Sequence, residues 1–293
     1  MTCYGPDAVY LEEDIVGVDN EHRQFTCLLQ EQSCWANVCT EPGMVAFMAA
    51  NAASALPGTV TSIEVHLSAG VLKNALSAGL PHTTQRGPAV AAAAGAISRQ
   101  PERGLTILGD LTPTQVDEAL SLVAAGSVKV KWDTSHQGVY GKCIVRNSEH
   151  TSEVVVSGSH TGIVEQRLDG KPVPTPDGHG RNSGLSILRG WTFDHLIDTV
   201  MTLPASEFGW LLDGARSCVN LSEADSPNPQ AHLATPREAC AALSCDGTPL
   251  TEAAGRTFKA IEARMSGTPW PVLTSGGSGN QGIMVSIPIL SVS

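Results

Sequence analysis

Cys39-Thr40-Glu41-Pro42 sets a thiol, a hydroxyl and a carboxylate side by side at the start of an apolar run rich in Ala and Met. A thiol at a helix start meets unpaired N–H groups and the positive end of the helix dipole, which favour the thiolate, a form that serves as nucleophile or iron ligand. The plain alternative is a structural cysteine beside a capping threonine. Ser159-His160-Thr161 joins two β-rich runs, where the imidazole suits a general base or a donor to a substrate carboxylate. Lys73-Asn74 falls in a short helix, and Arg264 lies at the end of the last long one, where its planar fork can clamp a carboxylate as lysine cannot. Residues 274–282, TSGGSGNQG, hold four glycines in nine positions, so the backbone can turn its N–H groups into an anion nest suited to a carboxylate. This stretch lacks the lysine of a P-loop and is not a GxGxxG following a predicted strand, so it does not read as a nucleotide site. A flexible connector is the competing reading.

Helices and strands must carry these groups. The run Met44 to Leu56, introduced by Thr40 and Pro42 and closed by Pro57-Gly58, reads as a buried helix with Cys39 at its entrance. Alternation of Ile63, Val65 and Leu67 with Glu64 and His66 predicts a strand over 59–68, and two helices follow at 70–78 and 88–98. Thr112-Pro113-Thr114-Gln115 is a capping box and Gly126 a stop, which frame a helix over 113–125. Alternating runs at 128–132, 138–146, 152–158 and 161–167 predict an antiparallel sheet. After the Pro- and Gly-rich Asp169 to Ser183 segment the pattern turns helical again, at 192–202, 205–213, 235–244 (opened by a second capping box at Thr235) and 251–265. The fold class is therefore α+β: a helical body of 1–58 and 175–293, carrying the glycine loop, with an inserted α+β lobe over 59–174 that contains the antiparallel sheet. The opening residues read as irregular. The closing GIMVSIPILSVS is apolar and lacks helix stop signals, so something is expected to cover it: either it is an inner strand, or it ends where a longer ancestor continued.

Composition narrows the partners. With 18 basic against 29 acidic residues and a formal charge of −11, the chain has no footprint for nucleic acid or an anionic membrane, which leaves small molecules or proteins. The acidic opening is unlike a signal peptide, and no apolar run reaches the roughly 18 residues of a membrane span, so a cytoplasmic location is expected. Eight cysteines at 3, 27, 34, 39, 143, 218, 240 and 245 form no CxxC pair or zinc spacing and read mostly as reduced thiols.

Taken together and in this order, the segments resemble the L-cysteine desulfidase family, which is related to the α domain of iron–sulfur L-serine dehydratases. Cys39-Thr40-Glu41-Pro42 resembles its GCTEP segment, while Lys73-Asn74-Ala75 and Pro81-His82-Thr83 resemble its KNxxGxxxPGT run. Ser159-His160-Thr161-Gly162-Ile163-Val164 is similar to GHTNIV, Arg264-Met265 to DARMGG, and Ser278-Gly279-Asn280-Gln281-Gly282-Ile283 to GSGNQGI. The likeness runs from about residue 35 onward. It departs at Val38, His82 and Gly162, where the family has glycine, glycine and asparagine.

The resemblance implies a lyase that removes sulfide or water, and then ammonia, from a small amino acid at a [4Fe–4S] cluster whose open iron acts as Lewis acid. Cys39 would be one cluster ligand, with the others in CG and CDGAKxxC segments of a further half. Cys39, Lys73 and His160 would be catalytic, and Thr40, Glu41, Asn74, His82, Thr83, Thr161, Arg264, Ser278, Asn280 and Gln281 would bind substrate. Two alternatives stay open. One is a cluster-free descendant, without cofactor, that performs acid–base isomerisation or cyclisation. The other is a non-catalytic subunit of a two-chain enzyme, in a homo-oligomer or with a partner chain covering the apolar terminal segment.

Overall fold

The computed structural model describes residues 20–175, 184–224 and 248–292, and they form an α+β structure. Helix α1 (Asn20–Glu31) leads into strand β1 (Trp35–Ala36) and helix α2 (Thr40–Ala55). Strand β2 (Ser62–Leu67) is followed by α3 (Ala69–Ser77), α4 (Pro88–Ser98) and α5 (Pro113–Ala124). Strands β3 (Val128–Trp132), β4 (Tyr140–Arg146), β5 (Thr151–Ser157), β6 (Ile163–Leu168) and β7 (Lys171–Pro172) come next. Helices α6 (Phe193–Thr202), α7 (Gly209–Glu223) and α8 (Pro249–Met265), strand β8 (Val272–Leu273) and helix α9 (Gly279–Val292) complete the described chain. No described helix is long and apolar enough to cross a membrane.

The six-stranded sheet has the order β3-β2-β4-β5-β6-β7. Pairing is antiparallel from β2 through β7, as the alternating runs predict, but β3 lies parallel to β2, with Val65 opposite Val130. The reason is the intervening chain: α3, α4 and α5 carry it back over one face, so β3 starts at the same end as β2. Strand β2 buries Ile63, Val65 and Leu67 on that face, and Gly141 of β4 leaves room there for the side chains of Met44 and Met48. Helix α2 is apolar all round, with thirteen buried residues, because the sheet lies on one side and α4 on another. At the α2–α4 crossing a Cβ on Gly95 would lie 2.1 Å from the Ala46 carbonyl oxygen, so the two alanine-rich helices meet backbone to backbone. The largest apolar core thus draws on α2 and on residues 60–163 together.

The capping box of α5 is complete: Gln115 N donates to Thr112 Oγ1 at 3.3 Å and Thr112 N to Gln115 Oε1 at 2.9 Å. Gly126 follows with φ of 71°. Two stretches differ from expectation. The opening is helical over 20–31, because Phe25 and Leu28 find a cluster with Leu203, Trp191 and Leu196, residues far along the chain. The closing stretch is helix α9 and not a strand. Ser278 starts it by accepting from Gln281 N and Gly282 N, and Ile283 and Ile287, one helical turn apart, are buried against α7 and α8. Pro288 is tolerated inside α9 because the carbonyl it leaves without a partner belongs to Met284, on the exposed side. The expected helix at 235–244 and its capping box lie outside the described residues.

Candidate functional site

Strands β1 and β8 bring the distant segments together. They pair antiparallel, Trp35 with Leu273 and Ala36 with Val272, and Thr274 N extends the ladder to the Cys34 carbonyl at 2.8 Å. Cys39 leaves β1 three residues on, and the glycine turn leaves β8 three residues on, so one short ladder sets both. The turn is a two-residue hairpin: Ser275 and Ser278 exchange N–H···O bonds at 3.0 Å, and Gly276 and Gly277 take φ of 55° and 78°, which only glycine adopts freely at both positions. The β5–β6 connection supplies His160 and α3 supplies Asn74.

Glu41 is the hub of this cluster. Its Oε2 accepts from Cys39 Sγ at 2.8 Å and Thr40 Oγ1 at 3.2 Å, and its Oε1 accepts from Asn74 Nδ2 at 2.7 Å. His160 Nε2 stands 3.9 Å from Oε1, within ion-pair reach though longer than a direct hydrogen bond. Burial pushes the Glu41 carboxyl up, but His160, Cys39, Asn74 and a backbone N–H outweigh it and hold the group at about 2. At Cys39 the thiol, not the thiolate, is favoured. Burial first, and the Glu41 carboxylate second, push its thiol up to about 12, against the pull of Arg264. Helix-start stabilisation of the thiolate is therefore overridden, and the thiol donates.

Arg264 is 1% exposed. Its Nη1 donates to Asn280 Oδ1 at 2.9 Å and its Nη2 to the Val38 carbonyl, while Nε has no partner among the described residues. The guanidinium thus ties the start of α2 to the start of α9. Gly279 lies directly on it, since a Cβ there would stand 2.4 Å from Nη2. Gly279→Ala is therefore expected to cost about 1–3 kcal/mol of stability by overpacking a group that has nowhere to swing, read as a lower midpoint in urea.

The other expected site residues divide. Gly277 faces His160, with a Cβ position 3.3 Å from Nδ1, and Thr161 lies half-buried in the same turn. Ser278 caps α9, Gln281 is exposed beside it, and Lys73 is exposed on α3 next to Asn74. His82 Nε2 lies 2.7 Å from the Gly109 carbonyl oxygen and Thr83 accepts from Gln85 N, so the contacts of these two lie away from Glu41. His82 has φ of 61°, a left-handed position that accounts for the glycine its counterpart carries in the resembling motif.

The glycine loop is less a nest than expected, because the N–H groups of Ser275, Ser278, Gln281 and Gly282 bond within the loop. Gly277, Gly279 and Gly282 do have GxGxxG spacing between β8 and α9. The strand, however, has two residues and pairs antiparallel, without the parallel βαβ unit a dinucleotide needs. Close approach explains each of these glycines: to His160, to Arg264 and to the Leu273 carbonyl respectively. The sequence signalled glycines, but which neighbour each one admits is set by the fold.

Among the described residues no three His, Cys, Asp or Glu side chains gather as a metal site, so these residues do not by themselves complete a four-iron cluster, for which Cys39 offers one thiol.

Fold and site together define an α+β protein with a buried thiol–carboxylate–imidazole cluster tied to a guanidinium. Comparison with known proteins adds relatives. A UPF0597 protein of Aliivibrio fischeri strain MJ11 is 32% identical over 279 residues, which cover 92% of this chain and 65% of that protein. A UPF0597 protein of Moorella thermoacetica is 32% identical over 272 residues, 90% of this chain and 62% of that protein. One from Shewanella baltica strain OS155 is 33% identical over 256 residues, 86% of this chain and 60% of that protein. The chain is thus similar to UPF0597 proteins and spans about three fifths to two thirds of the length of these relatives. No family model and no solved structure matches.

Proposed function

We propose that this chain is a lyase-type enzyme that eliminates a small leaving group from a carboxylate-bearing metabolite. What supports the reading is one observation: Cys39, Glu41, Asn74 and His160, scattered over 122 positions of sequence, meet at a single carboxylate. In this reading His160 takes the proton from the carbon next to the substrate carboxylate, the electron pair left behind forms the carbon–carbon double bond, and hydroxide or hydrosulfide departs with its bonding pair. Glu41 orients the imidazole and balances its positive charge once protonated. The resemblance to cysteine desulfidases and iron–sulfur serine dehydratases favours L-cysteine or L-serine as substrate and a [4Fe–4S] cluster as cofactor. The described residues alone do not complete such a cluster, of which Cys39 would hold one iron.

A cluster-free acid–base enzyme is the second reading, favoured by the thiol of Cys39, which burial first and Glu41 second hold protonated and which is not needed as a ligand in that chemistry. The elimination reading has a direct test. Protein purified without oxygen is assayed for bound iron and for ammonia and 2-oxo acid released from L-serine and L-cysteine. Turnover that falls at least about tenfold in His160→Asn is the expected outcome. Undiminished turnover in that variant, or no release of product by the parent protein, contradicts the proposal.

A further inference from the structure

We propose that the outward side of helix α6 is an interaction surface for a cationic amphipathic helix of a partner protein, bound by an apolar stripe and by two carboxylates along one edge of it.

A helix that packs on one side ordinarily shows charged and polar groups on the other. Helix α6, FDHLIDTVMT, does not. Its inner side is occupied: Thr199 and Leu203 are buried, Leu196 packs in the cluster of Phe25 and Leu28 from α1, and His195 Nε2 lies 2.6 Å from Glu21 Oε1. Thr192 caps the start by accepting from His195 N at 3.2 Å, so the helix is held at its first turn and along its inner side. The outer side carries Phe193 and Met201, 75% and 78% exposed, with Ile197 at 44% and Val200 at 37% between them. At about 3.6 residues per turn these four fall within an arc of about 100°, the width of a stripe that a helix ordinarily buries. Single exposed apolar side chains are ordinary on a surface, whereas four neighbours on one side of a 10-residue helix mark a contact face.

The edge of the stripe identifies what fits it. Asp194 and Asp198, one turn apart, follow Met201 round the helix and are exposed, and neither carboxylate has a partner among the described residues. The helix has no Lys or Arg, and its one histidine meets Glu21. A second copy of this chain would therefore bring the same two carboxylates and a further formal charge of −11, with no cation on its own α6 to meet them. An anionic membrane is disfavoured for the same reason, since a helix that lies in a membrane surface carries the Lys and Arg that α6 lacks. A partner helix with apolar anchors on successive turns and Lys or Arg at their margin satisfies both the stripe and its edge. Four side chains make a small interface, so the complex is a transient one.

The test is fluorescence anisotropy with the full chain and a labelled helical peptide of leucine and lysine, against the same peptide with glutamate in place of lysine. The lysine peptide is expected to bind with a Kd on the order of 10 µM, at least about tenfold tighter than the glutamate peptide. Phe193→Asp with Met201→Gln separates docking on the stripe from general attraction to an acidic chain. The change adds a negative charge, so attraction alone would tighten binding, whereas loss of the stripe weakens it about tenfold or more. Both side chains are exposed, so the variant is expected to keep the parent's urea midpoint. Asp194→Asn with Asp198→Asn should weaken binding about threefold and flatten its dependence on salt. Equal binding of the two peptides, undiminished binding by the stripe variant, self-association of the chain in sedimentation that the stripe variant abolishes, or recruitment of the chain to phosphatidylserine vesicles overturns the proposal.

Discussion

Arg264→Met is expected to lower the free energy of unfolding by about 3–5 kcal/mol, read from urea denaturation. Methionine fills much of the same space, so the cost is electrostatic rather than a cavity. It strips the Val38 carbonyl and Asn280 Oδ1 of their donor and removes a buried positive charge within electrostatic reach of the largely buried Glu41 carboxylate. One member of a buried charge pair removed alone is costly, whereas removal of both is cheaper. The double variant Arg264→Met with Glu41→Gln should accordingly be more stable than the sum of the single losses indicates. A cost below about 1 kcal/mol for Arg264→Met would mean that the guanidinium does not hold the two helix starts together.

The second large effect concerns acid. Glu41 is held at about 2, below its ordinary 4.5, so its folded carboxyl binds a proton less readily than its unfolded one. Stability from this group is therefore fully present above the ordinary value and is lost as pH falls toward about 2. The difference corresponds to about 3 kcal/mol. Glu41→Gln should be less stable than the parent by about that amount at neutral pH, and the gap should close between pH about 5 and 2, where the parent alone loses the Glu41 share. Glu64 is also held at about 2, first by Lys131 and then by His66, but it lies on the surface, where solvent and salt screen the pair. Its share appears in both proteins and cancels in their difference. Parallel pH profiles for the two would contradict the placement of Glu41.

Much of this arrangement was legible in the chain because it depends on local chemistry. The capping box at Thr112, the glycine stop at Gly126 and the alternation through β2 declare their elements within a few residues, and the order of Cys39, His160 and the glycine loop pointed to one site. What stayed hidden depends on partners far away. Phe25 and Leu28 make α1 a helix by packing near Trp191 and Leu203, and no signal in the opening residues announces that cluster. Helix α9 was obscured by its β-branched residues and Pro288, which a strand also tolerates at an edge. The state of Cys39 is not decided by sequence alone, because the helix start argues for a thiolate, while burial and Glu41, known only from the fold, argue more strongly for the thiol. Glu41 itself looked like one of several binding residues. That it gathers the others is a matter of distances.

The most direct test of the central claim, that Glu41 and His160 share one buried site, is a double-mutant cycle in urea with Glu41→Gln, His160→Asn and the pair. The account predicts a coupling between about 0.5 and 3 kcal/mol, because each single change alters the surroundings of the other group. Losses that add to within about 0.3 kcal/mol would place the two side chains in independent surroundings and contradict it.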